Sequence, residues 1–201
     1  MNKKYKTIMA DPPWPIEWPQ SKYIGTKELE YPVMPVAEIA ALDIKDYLDN
    51  DCRLFLWTTN EFLPEALYVC RLWGFRYKML YTWCKPTGLG GEPRIATEHI
   101  VIGYRGHPKR VGSRNDKQIL NWVTANRTMK HSEKPHEIIR TLTKISEPNR
   151  LELFARTKRE GWDSWGNEII NDIEIKKLEI EKAEQMDLFS VSESEESSSS
   201  S

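Results

Sequence analysis

Cysteine is scarce in this chain: Cys52, Cys70 and Cys84 are the only three in 201 residues. An odd, widely spaced trio excludes a disulfide framework and a four-cysteine zinc site, and reads as buried, reduced thiols. Long apolar runs are missing as well. No stretch of about 18 uncharged apolar residues occurs, and Met1-Asn2-Lys3-Lys4-Tyr5 opens without an apolar signal core, so the expectation is a cytoplasmic protein with no membrane contact. His99, His107, His131 and His136 show no ligand spacing to cysteines or carboxylates, and no metal is expected. Gly88-Leu89-Gly90-Gly91 lacks the Gly-Lys-Ser/Thr ending of a phosphate loop. No histidine is paired with a serine or cysteine in a pattern that signals nucleophilic catalysis.

What is present is enough apolar side chain for a core: 39% of residues are hydrophobic and 29% charged. The length predicts one compact domain, taken as residues 1–170, followed by an acidic, serine-rich tail at 171–201. The tail reads as a short exposed helix over residues 171–190 and then disorder. A net charge of -1 hides a strong asymmetry. Residues 1–70 carry net -4, residues 71–160 net +11 and residues 161–201 net -8. A cationic middle interleaved with Trp and Tyr suits a polyanion, because phosphates need cations and bases need flat apolar surfaces. An ordinary solvated surface would carry the same charges.

Strands are predicted at residues 5–10, 53–57, 75–83, 98–104, 119–123, 150–155 and 161–165, and helices at 35–48, 60–73 and 134–145. The second helix is given an Asn60 cap and Gly74 as its stop, and residues 86–93 read as a mobile glycine-rich loop. Strands alternating with helices predict an α/β fold, a mostly parallel sheet with helices on both faces. Ligands of such sheets sit at the carboxyl ends of the strands, and the first strand ends there in Asp11-Pro12-Pro13-Trp14.

That tetrapeptide could be a turn and nothing more, since Asp and Pro are common turn residues. Its parts also suit methylation of an exocyclic amine on a planar base, whose nitrogen lone pair is delocalised into the ring. The Asp11 carboxylate can accept one N–H and the Pro12 carbonyl the other, favouring a pyramidal nitrogen aimed at an electrophilic methyl. Pro12 and Pro13 lock φ, and Trp14 offers a face for the base.

The chain resembles the DPPW-type adenine methyltransferases, which include the catalytic subunit of the eukaryotic messenger-RNA adenosine methyltransferase complex and many bacterial and phage DNA-modifying enzymes. The likeness runs from Ile8 to about Ile169, through Met9-Ala10-Asp11-Pro12-Pro13-Trp14, Leu54-Phe55-Leu56-Trp57, Leu72-Trp73-Gly74-Phe75, Trp83-Cys84-Lys85, Glu98-His99, Lys134-Pro135, Glu152-Leu153-Phe154-Ala155-Arg156 and Gly161-Trp162-Asp163-Ser164-Trp165-Gly166-Asn167-Glu168. It implies a Rossmann-like sheet with a permuted motif order, S-adenosylmethionine as methyl donor and no metal. By the same likeness Lys134, Arg156, Asn167 and Glu168 hold the cofactor, and Tyr31, Trp83, Lys85 and Glu98 line the acceptor pocket. The loop cations Arg110, Arg114, Arg127 and Lys130 are candidate phosphate contacts.

The function expected from these residues is methylation of the 6-amino group of adenine in nucleic acid, DNA more than RNA, on a flipped or single-stranded base. A homodimer or a partner subunit would extend sequence choice. The alternative is a catalytically silent nucleic-acid-binding subunit on the same fold, against which the intact tetrapeptide argues.

Overall fold

The computed structural model describes residues 3–16, 32–89, 93–111, 120–126 and 134–178. Tyr31, Arg114, Arg127 and Lys130 lie outside the described residues. In chain order the elements are β1 (Tyr5–Ala10), α1 (Val36–Ala40), β2 (Leu48–Thr58), α2 (Leu63–Leu72), β3 (Arg76–Leu89), β4 (Ile95–Arg105), β5 (Trp122–Thr124), α3 (His136–Lys144), β6 (Arg150–Leu153) and β7 (Asp163–Trp165). The strands form one sheet in the order β5-β3-β4-β2-β1-β6-β7. Every ladder is parallel except the two made by β4, so β4 alone runs against the rest.

Alternate residues of each central strand enter different cores, which is why the run Leu54-Phe55-Leu56-Trp57 is apolar without a break. Leu54 and Leu56, with Ile8 and Ala10 of β1, meet α1 and α2 through Ile39, Ala66 and Val69. Phe55 and Trp57, with Met9 of β1, meet Ile138, Ile139 and Leu142 of α3 on the opposite face. Cys52 and Cys70 are buried, and burial pushes both thiols up to about 12, which leaves them protonated and unreactive at neutral pH.

Four local expectations change. The first helix covers only Val36–Ala40, followed by a 3₁₀ turn at Lys45–Tyr47. It stops because the chain between them is captured by the C-terminal segment, Leu178 N–H donating to Ala41 and Asp43 N–H to Lys176. That segment is no helix at residues 171–178: it is an extended strap whose Ile173 and Ile175 pack on the α1/α2 core, and the rest of the predicted tail helix lies outside the described residues. Asn60 does not cap α2, which begins at Leu63 after Phe62. Its amide bonds Thr97 instead and its carbonyl oxygen lies 3.1 Å from His99 Nε2. Gly74, at φ +86°, does end α2 as expected, with Gly74 and Phe75 N–H groups returning to Arg71 and Cys70. Residues 86–89 belong to β3 rather than to a free loop, because β4 folds back on them and pairs Ile95 with Leu89 across a bulge that accommodates Pro86.

Candidate active site

The sheet order decides where chemistry can happen. Neighbours of β1 are β2 on one side and β6, nearly a hundred residues later, on the other, so the connections diverge beside β1 and leave a crevice at its carboxyl end. Asp11 is the first residue beyond that end, and its strand parity with Met9 turns it to the α3 face. Because β4 is reversed, its beginning reaches the same edge, bringing Glu98 opposite Trp83 of β3.

Lys134, just ahead of α3, ties these pieces together. Its Nζ lies 3.3 Å from Asp11 Oδ1 and 3.0 Å from Glu98 Oε2, while Lys85 Nζ lies 2.5 Å from Glu98 Oε1. Carboxylate and ammonium thus alternate along Asp11, Lys134, Glu98 and Lys85. Each ammonium also sits over an indole, Lys134 at 4.8 Å from the Trp57 ring centre and Lys85 at 4.9 Å from that of Trp83. Burial alone would favour neutral forms, yet the two carboxylates hold Lys134 above the ordinary lysine range. Likewise burial would raise Glu98, but Lys134 and Lys85 together hold it below the ordinary carboxylate range. Asp11 goes the other way: loss of solvent pushes its carboxyl up, and the Lys134 charge opposes that only in part.

Pro12 and Pro13 set the turn through contacts a sequence cannot show. Trp14 N–H donates to the Pro12 carbonyl at 2.9 Å, and Met34 N–H to the Pro13 carbonyl at 2.8 Å. The Pro12 oxygen keeps its second lone pair. Trp14 does not offer an open face as expected. It is 4% exposed, its ring stacks on Phe62 at 5.7 Å, and its Nε1–H donates to the Trp57 carbonyl at 2.9 Å. An indole this apolar and this close to α2 gains more from the core than from the cleft, and it anchors the turn to β2.

At the far side of the crevice, Arg156 follows β6 and Asn167-Glu168 follow β7, with Arg156 Nε 3.8 Å from Glu168 Oε1. Gly166 permits the close crossing of these two strand ends, since a Cβ there would lie 2.1 Å from the Ala155 carbonyl oxygen. Arg110 is not part of this cluster: it lines a separate cavity with Arg53 and Lys144. Sequence reasoning missed Glu152. Paired in register with Met9, it carries a carboxyl raised by burial and further by the Asp11 charge, with Arg159 Nε 3.0 Å away opposing the shift. A charged residue between two core leucines of a buried strand was the available signal. Among the described residues no group of histidine, cysteine and carboxylate side chains could hold a metal ion, and no helix is long and apolar enough to cross a membrane.

A mostly parallel sheet with helices on both faces, bearing an Asp-Pro-Pro-Trp turn in the crevice at its carboxyl edge, defines a Rossmann-like methyltransferase. The MT-A70 family model matches residues 5–168, and the chain belongs to that family. It is an adenine-specific methyltransferase acting on the 6-amino group. Among its relatives, the type II methyltransferase M.MunI of a Mycoplasma species is 33% identical over 194 residues, covering 86% of this chain and 82% of that protein. A probable N(6)-adenosine-methyltransferase MT-A70-like protein of rice is 31% identical over 83% of this chain. The human N(6)-adenosine-methyltransferase catalytic subunit METTL3 is 28% identical over the same share. The match spans only 23% and 28% of those two longer proteins.

Proposed function

We propose that this enzyme methylates adenine in DNA, with S-adenosylmethionine as donor. The observation that carries the reading is the Asp11 carboxylate in the crevice beside β1, 3.3 Å from an ammonium that Glu98 shares. DNA is favoured over RNA because the chain matches the bacterial relative over most of its length and the eukaryotic ones over about a quarter of theirs. The donor set around the crevice suits the cofactor: Glu152 would suit the sulfonium, Lys134 and Arg156 its carboxylate, and Asn167 and Glu168 its ribose hydroxyls. When bound, S-adenosylmethionine supplies an electrophilic methyl carbon. Asp11 accepts one N–H of the target amine and the free lone pair of the Pro12 carbonyl accepts the other, drawing the nitrogen lone pair out of the ring. The Asp11 carboxylate then stands ready to take the surplus proton. Lys85 and Glu98 wall the acceptor pocket, Trp83, 4% exposed with its Nε1–H donating to the Ala125 carbonyl, backs Lys85 from the core, and the Lys134 ammonium favours the ionised form of Asp11 and orients it.

The test is incubation with labelled S-adenosylmethionine and matched DNA and RNA oligonucleotides, followed by digestion to nucleosides. N6-methyldeoxyadenosine is the expected product. Methylated adenosine from RNA with none from DNA would reverse the substrate preference. Asp11→Ala should retain cofactor binding by calorimetry and lose turnover; near-normal turnover in that variant would refute the assigned role.

A further inference from the structure

The α3 face of the sheet holds a second cavity, of about 470 Å³, away from the Asp11 crevice. Its size falls within the roughly 300–1,000 Å³ usual for ligand pockets. Tyr104 supplies a half-buried flat wall, Phe55, Tyr81 and Ile102, at 0%, 4% and 5% exposed, form the buried floor, and Met79 and Leu120, at 42% and 54% exposed, stand at the edge. Arg53 lines it from β2 and is only 6% exposed. Its two terminal nitrogens donate to the carbonyls of Ile145 and Lys109, and its guanidinium lies 5.2 Å from the Tyr104 ring centre. Tying those two segments together explains the terminal nitrogens but not Nε, which is buried with no acceptor among the described residues. Buried donors of this kind ordinarily have a partner. Arg110 and Lys144 complete the lining with two more cations, and no carboxylate is among the described lining residues. Glu147, close by in sequence, is engaged elsewhere, its Oε1 accepting from Lys109 N–H and its Oε2 3.7 Å from Lys6 Nζ.

The half-buried Tyr104 ring, one fixed internal N–H and cations without a matching acid together describe a planar group that carries acceptor atoms and an adjoining phosphate. We propose that this cavity takes a second nucleobase of the substrate strand, a few positions from the target adenine, with its phosphate at Arg110 and Lys144. The proposal rests on the adenine-methylating reading and deepens it by assigning a reader of sequence context. Position supports it. Ile102 lies four residues along β4 from Glu98 on the same face, about 13 Å at roughly 3.3 Å per residue. That span corresponds to about four bases at the stacked rise of about 3.4 Å, and to fewer on an extended strand.

The test uses the full chain and fluorescein-labelled single-stranded DNA oligonucleotides that contain one target adenine, with abasic sites placed in turn at the neighbouring positions. For the wild type, one abasic position should raise KM about tenfold with kcat unchanged, as expected for loss of one stacked base. Met79→Trp, which fills the cavity mouth from a half-exposed strand position, should raise KM on the intact strand and become indifferent to that abasic site. Arg110→Ala with Lys144→Ala should weaken binding by anisotropy without changing cofactor affinity. Tolerance of every abasic position by the wild type, or an unchanged abasic penalty in Met79→Trp, overturns the proposal. Failure of the wild type to methylate any intact oligonucleotide would instead sink the underlying reading, and the anisotropy titrations would still decide the cavity.

Discussion

At the scale of single residues, Asp11 is useful because its environment pulls in two directions. Burial raises its carboxyl while Lys134 favours the charged form, so the ionised group is a stronger hydrogen-bond acceptor than a free aspartate. Since only the carboxylate accepts the amine N–H, activity should fall as pH drops through a value above the ordinary aspartate pKa of about 3.9. Removing the opposing charge in Lys134→Met should shift that acid limb of kcat to still higher pH, a direction a purely structural lysine would not produce. Asp11→Asn should lower kcat by about 10²–10³-fold or more with cofactor affinity retained, measured by single-turnover methylation beside calorimetry. Glu98 has the opposite sign: its lowered carboxyl adds stability above the ordinary glutamate range, and acid removes it as pH falls through the folded value. Trp14 acts at a distance from chemistry. Trp14→Phe leaves the Trp57 carbonyl without its indole donor and should destabilise the fold by about 1–3 kcal/mol in urea denaturation.

At the scale of elements, the strap formed by residues 171–178 binds what local propensity leaves loose. Besides its backbone bonds to Ala41 and Asp43, it receives the Tyr47 hydroxyl at Glu174 and pairs Lys177 with Glu38. Its Asp172 and Asn171 side chains accept from the Ser164 and Gly166 N–H groups of β7 and the turn beyond it. One segment therefore braces both α1 and the edge that carries Asn167 and Glu168. Replacing half-buried Ile173 and Ile175 together by serine should cost about 2 kcal/mol and lower Tm by about 4–8 °C, read by calorimetry. Cofactor affinity should weaken in the same variant if the β7 edge is held by the strap.

At the scale of the molecule, the reversed strand β4 is what makes the site. It lets Glu98, near the start of one strand, meet Lys85 directly and Asp11 through the shared Lys134 ammonium. The cationic segment of residues 71–160, net +11, supplies β3, β4, β5, α3 and β6. Nucleic-acid binding should accordingly weaken steeply with salt, log K falling linearly with log salt concentration, and a flat salt dependence in anisotropy titrations would contradict a polyanion substrate.

Local pattern made much of this legible before any tertiary contact was known. Apolar strands interrupted by helix-period stretches, a Gly74 stop and two prolines after β1 suffice for the α/β class and for Asp11 at a strand end, because each depends on neighbours within a few residues. What lies between distant segments did not follow. That Glu152 pairs in register with Met9, that Trp14 turns into the core, that residues 86–89 extend β3 against β4 and that Arg53 lines a cavity depend on which strands adjoin and in what register. Those choices belong to the whole chain, since pairing free energy is shared among segments as far apart as Thr7 and Arg150 and no single window contains it.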